Sequence, residues 1–168
     1  GFSEEIIPNF HGGVASLIGK FPIVSDMPGS NLFENVAVLK LSISRDEAEY
    51  LRLKGNDFFK QKDYNKAYEF YMNSFTLRKD PRCISNAMLA KIKLKQWSQA
   101  LVPMDDLELE SIDPSISLKI LYRSFLCAES LFPEERERIV NAAKAVKNHP
   151  QFEDLSPKLK EKLSDFLI

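Results

Sequence analysis

Residues 51–71 read Leu51-Arg-Leu-Lys-Gly-Asn-Asp-Phe-Phe-Lys-Gln-Lys-Asp-Tyr-Asn-Lys-Ala-Tyr-Glu-Phe-Tyr71. Two apolar-periodic runs flank a polar break at Asp63, which predicts two short helices joined by a tight turn. Gly55, Phe58, Ala67 and Tyr71 fall where two antiparallel helices must touch. Upstream, Ser44-Arg-Asp-Glu47 matches a capping box, in which the serine hydroxyl and the glutamate satisfy exposed backbone donors. The first helix is therefore expected over about Arg45–Gln61 and the second over about Tyr64–Arg78. Asp80-Pro81 ends the hairpin, because proline cannot continue the helical ladder.

A second hairpin follows, with expected helices at about Arg82–Lys95 and Ser98–Glu110. Trp97 takes the place of Tyr64, and Ala100 takes the place of Ala67. This copy is less regular. Met88 stands where a small residue is expected, Lys91 where an aromatic is expected, and Pro103 predicts a kink or a late helix start. Asp113-Pro114 closes it. A third unit is expected over Ser115–Leu131, with a partner helix from Phe132-Pro-Glu-Glu to Lys147. His149-Pro150 stops that helix. Ser156-Pro157 then starts a last amphipathic helix with Leu159, Leu163, Phe166 and Leu167 on one face, placed to cover the open apolar end of the stack.

Helix–turn–helix units at this spacing carry the signature of tetratricopeptide repeats, which this chain resembles. The expected fold is all-α: a stack of two clear hairpins, a divergent third unit and a C-terminal capping helix. Residues 44–149 form the repeat domain in this reading and 150–168 the cap. Residues 1–43 form an irregular extension, packed or partner-binding, interrupted by Pro8, Gly12-Gly13, Pro22 and Pro28-Gly29. Within it Val14–Ile18 suits one or two helical turns, and Val36–Ile43 alternates enough to suit a strand or an extended arm.

The chain has 168 residues, 44% hydrophobic, with a formal net charge of −1. That is enough apolar material for a core, and the charge total points to neither nucleic acid nor an anionic membrane. No apolar run reaches the roughly 20 residues of a membrane helix, and the acidic start has no signal-peptide character. A start at Gly1 reads as that of a cut-out fragment. Cys83 and Cys127 lie in helical patterns and read as buried hydrophobes in a reducing compartment, which suits a cytoplasmic or also nuclear location. Neither they nor His11 and His149 have metal-ligand spacing, so no metal or cofactor is expected. Asp105-Asp106 and Glu108–Glu110 lack the histidine or glycine-rich loop that catalysis would need, so the chain reads as a non-enzyme. Glu134–Arg138 and Lys158–Lys162 read as solvated faces. Phe58, Phe59, Tyr71, Phe75, Trp97 and Tyr122 read as core aromatics.

The first helix of each hairpin lines the concave face of such a stack. Arg52 and Asn56 are four apart and share one helix face, as do Lys119 and Arg123 on the third unit, and Asn86 lies on the first helix of the second hairpin. Three cations and two amides converging on one groove suit an anionic, extended ligand. Arg52 with Gly55-Asn56, Asn86 in Ser-Asn-Ala-Met-Leu-Ala, and Lys119-Ile-Leu-Tyr-Arg123 together resemble the carboxylate-clamp tetratricopeptide domains of heat-shock co-chaperones. The resemblance spans roughly residues 44–131. It implies an adaptor that holds the Glu-Glu-Val-Asp tails of chaperones of the ninety- and seventy-kilodalton classes. It also implies that Asn56, Asn86 and Lys119 hold the terminal aspartate, with Arg52 and Arg123 assisting. Arg52 departs from the family's lysine. Two other readings stand beside this one. One is a scaffold that binds a different protein through outer helix faces or residues 1–43. The other is the targeting module of a larger enzyme.

Overall fold

The computed structural model of the chain describes residues 32–167. Among them all regular structure is helical. The α-helices are α1 (Leu32–Lys60), α2 (Tyr64–Leu77), α3 (Pro81–Lys93), α4 (Trp97–Leu101), α5 (Pro114–Leu131), α6 (Arg136–Lys147) and α7 (Pro157–Ser164). Short 3-10 turns lie at Val102–Asp106, Leu109–Ser111 and Phe152–Asp154. No helix is long and apolar enough to cross a membrane among these residues.

Each hairpin begins from its own turn chemistry. Lys62 and Lys95, which precede α2 and α4 at the same distance, both adopt positive φ (62° and 59°), so the chain reverses there without glycine. Asp63 caps α2 by accepting from Lys66 N–H, Asp80 caps α3 from Arg82 N–H and Asp113 caps α5 from Ser115 N–H. Proline follows Asp80 and Asp113 at the first helical position, where its missing N–H costs nothing.

Contacts along α1 and α2 run in opposite directions. Phe58 meets Phe70, Asn56 bonds Tyr71, Ala48 bonds Ser74 and Ser44 bonds Leu77, which is the pairing of an antiparallel hairpin. Gly55 lets the hairpin close, since a Cβ there would lie 2.7 Å from the Tyr71 ring. Helix α2 packs on α3, α3 on α4 and α5, and α5 on α6. One core gathers Ala67, Tyr71, Phe75, Ile84, Met88 and Ile120. A second gathers Leu118, Tyr122, Phe125, Ile139, Val146 and Leu163. Cys83 and Cys127 are both buried with free thiols, and burial pushes the Cys127 thiol up to about 11.

Several sequence expectations need correction. Helix α1 starts at Leu32, not near Arg45, so Val36–Ile43 is helix and neither strand nor arm. The helix therefore runs through the expected boundary between residues 43 and 44. Its alternating apolar residues misled the period, because Val36 and Val38 are 40% and 54% exposed and mark no buried face. Ser44 is not a cap: its hydroxyl donates to the Leu77 carbonyl at the end of α2. The expected Ser98–Glu110 helix is only the five-residue α4, because Pro103 lacks the N–H that would bond the Gln99 carbonyl and the chain tightens into 3-10 turns. Helix α6 begins at Arg136 and not at Phe132, after a turn closed by Glu135 N–H on the Phe132 carbonyl. Ser156 occupies the N-cap position of α7 without a side-chain bond. Leu159, Leu163, Phe166 and Leu167 do pack on the second core. The expected turn at Val14–Ile18, His11 and the rest of residues 1–31 lie outside the described residues.

Candidate functional site

The turn chemistry sets the register of the groove helices. Asn86 follows Asp80 by the same interval as Lys119 follows Asp113, so the two hold equivalent positions on α3 and α5. Counting back from Lys62 and Lys95 places Leu53 at the corresponding position of α1. Leu53, Asn86 and Lys119 thus form one row across three helices. Leu53 is 48% exposed, Asn86 half-buried and Lys119 exposed. Among the described residues the Asn86 and Lys119 side chains make no hydrogen bond or ion pair.

Arg123 lies one turn beyond Lys119 and reaches across to α3, where Nη1 donates to the Ser85 carbonyl and Ser85 Oγ. Its register matches Ala90 of α3, which is fully buried, and this explains why the guanidinium points inward. No carboxylate faces it among the described ion pairs. Burial pushes its pKa down to about 10. Nε and Nη2 have no partner among the described residues, and neither is sealed from solvent. The α3–α5 side therefore holds a half-buried cation bonded to Ser85, the chain neighbour of Asn86, with two donors open.

The α1 side is different. Asn56 Oδ1 accepts from the Tyr71 hydroxyl at 2.8 Å, which fixes the amide and leaves its NH2 free to donate. Burial pushes Tyr71 up to about 12, so the phenol stays a donor at neutral pH. Arg52 is already occupied: Nη2 and Nε bind the two oxygens of Glu49 at 2.6 and 3.0 Å. This hydrogen bond raises the Arg52 pKa and lowers that of Glu49. Arg82 stands 4.0 Å from the same carboxylate.

The structure puts Asn86 and Lys119 at equivalent positions of α3 and α5, bonds Arg123 to Ser85, the chain neighbour of Asn86, and puts Arg52 and Asn56 on one face of α1. Sequence reasoning missed Glu49 and Leu53. The spacing Glu49-x-x-Arg52 was a readable signal, since residues three apart meet on a helix. Leu53 was readable only by counting from the turn. Among the described residues no cluster could hold a metal ion. The chain matches no protein-family model, no curated protein and no solved structure in these comparisons.

Proposed function

We propose that the face formed by α1, α3 and α5 is a tetratricopeptide-type groove that binds the carboxylate end of an acidic peptide. The protein then acts as a co-chaperone or adaptor for chaperone tails ending Glu-Glu-Val-Asp. The observation that carries this reading is Arg123: a half-buried cation with open donors and no counter-ion among the described residues, on the same two helices as an amide and an ammonium group that make no hydrogen bond or ion pair there. A desolvated guanidinium is stabilised by a carboxylate, and such pairs are often bidentate. Asn56 NH2, Asn86 and Lys119 supply the further donors that a terminal carboxylate needs.

The recruitment mechanism needs no chemistry. The tail enters extended, its last carboxylates bind the α3–α5 cations, and other surfaces carry the client. Calorimetry with a peptide ending Glu-Glu-Val-Asp is expected to give a Kd of roughly 1–50 µM, weakening with salt. Amidating the peptide's C-terminus, or substituting Asn86→Ala or Lys119→Ala, is expected to weaken binding at least about tenfold. Equal affinity in both variants removes the clamp. One observation favours a scaffold for another partner: Arg52 is committed to Glu49, so the α1 half of the clamp is weaker than the resemblance implies. Under that reading the peptide gives no heat, and a stable partner complex survives Lys119→Ala.

A further inference from the structure

Helix α5 has a second working face. Pro114, Ser117 and Leu121 are three and four residues apart and share one side. At about 100° per residue that side lies roughly 180° from Lys119 and Arg123. With Leu109, Ile112 and Ala145 these residues line an open cleft of about 580 Å³. This size suits one large side chain and its neighbours.

The polar groups in the wall of the cleft are satisfied internally. Gln151 N–H donates to His149 Nδ1 at 3.0 Å, which assigns the proton to Nε2. Nε2 lies 2.8 Å from Ser117 Oγ, and Ser117 donates onward to the Pro114 carbonyl. A ligand therefore meets mainly apolar surface there. The loop wall of the cleft is acidic. Glu110 lines the cleft, and the wall segment 107–113 carries Glu108, Glu110 and Asp113 with no basic residue. Helix α6 ends on the other side of the cleft, at Asn148, with Lys144 and Lys147 in its last turn offsetting its dipole, so the loop supplies the negative charge.

We propose that this cleft receives one apolar side chain of a basic peptide segment in a protein partner, with flanking Lys or Arg residues paired to the acidic wall. The two faces of α5 then take opposite ligands, an anionic group on one side and a cationic apolar segment on the other. The site does not depend on what the groove binds.

The test is an amide NMR titration of the full chain with end-blocked Lys-Lys-Leu-Lys-Lys. The controls are Lys-Lys-Ala-Lys-Lys and Glu-Glu-Leu-Glu-Glu. Saturable shifts confined to residues 109–121 and 145–151 are expected with the first peptide, and at least about fivefold weaker binding with both controls. Glu110→Lys and Ala145→Phe alter exposed positions, so the fold is retained, and each is expected to weaken binding at least about fivefold. Failure to saturate, equal binding of either control, or shifts mapping to Asn86 and Lys119 overturns the proposal. Cleft shifts that grow with protein concentration and no peptide would assign the surface to a second copy and overturn it equally.

Discussion

Two side chains show how much a single residue decides here. Gly55 is needed for a close approach and not for an unusual backbone: it sits inside α1, with the Tyr71 ring 2.7 Å from where a Cβ would be. Tyr71 is 2% exposed and tied to Asn56, so its ring cannot swing away. Helix propensity favours alanine over glycine by about 1 kcal/mol. Overpacking of about 1–3 kcal/mol outweighs it. Gly55→Ala is expected to lose up to about 2 kcal/mol in urea unfolding, and adding Tyr71→Leu is expected to recover part of that loss. A stabilising Gly55→Ala would mean that the ring yields. Arg123 illustrates the opposite balance. Its folded pKa is about 10 against an ordinary 12.5, so the fold disfavours the charged form at every pH below about 10. The penalty is relieved only as pH rises between those two values. Replacing a half-buried cation that has no counter-ion among the described residues by an apolar residue of similar length removes that penalty. Arg123→Met is therefore expected to keep or raise the Tm of the free protein. It is also expected to abolish the Tm rise that a Glu-Glu-Val-Asp peptide produces. A large loss of stability without ligand would make Arg123 a strut between α3 and α5 and not a ligand-facing group.

At the scale of elements, the caps hold the stack in register, and one of them is sensitive to acid. Asp80 caps α3 and also binds the Arg82 guanidinium at 2.6 Å. Burial pulls its pKa up, but the hydrogen bonds from Arg82 outweigh that and hold it below the ordinary range. A carboxylate with a depressed folded pKa contributes stability above its unfolded pKa, and the contribution is lost as pH falls through the folded value. Glu49 is held down in the same sense by its hydrogen bond with Arg52. Unfolding free energy is thus expected to fall steeply below about pH 4. Asp80→Ala is expected to cost about 1 kcal/mol at pH 7 and to flatten the acid limb; an unchanged limb would show that the cap does not titrate. The same elements show what could be read beforehand. Hairpin turns, Asp-Pro caps and i,i+4 faces are local chemistry, so α2, α3, α5 and the row of Asn86 and Lys119 followed from counting. The start of α1 did not, because Val36 and Val38 alternate like a strand yet face solvent, and no local signal distinguishes those cases. The Glu49–Arg52 pair and the burial of Arg123 depend on how α1 and α5 meet α3. The cleft behind α5 depends on a loop that Pro103 creates by ending α4 early, and no single segment encodes it.

At the scale of the molecule, α5 is the shared wall of two cores. Ile120 belongs to the core built with α2 and α3, while Leu118, Tyr122 and Phe125 belong to the core built with α6 and α7. The proposed groove draws on the first core, while the cleft draws on both, with Leu109 packed on the first and Leu121 on the second, so the two surfaces share only part of their contacts. Leu163 of α7 tests this division. It is fully buried, among side chains that include Phe125, whose ring also packs edge-on to Phe166 at 5.6 Å. Leu163→Ala should cost about 2–5 kcal/mol, the range for a leucine truncated in a closed core. Because α7 meets the second core and not the first, the loss should be uneven. Hydrogen exchange is expected to quicken in α6, α7 and the outer turns of α5, with protection in α1, α2 and α3 close to that of the parent chain. Peptide binding at the groove should then survive the substitution while cleft binding weakens. If protection instead drops equally from α1 to α7, the two cores unfold as one unit, and a ligand on either face of α5 must then stabilise the site on the other.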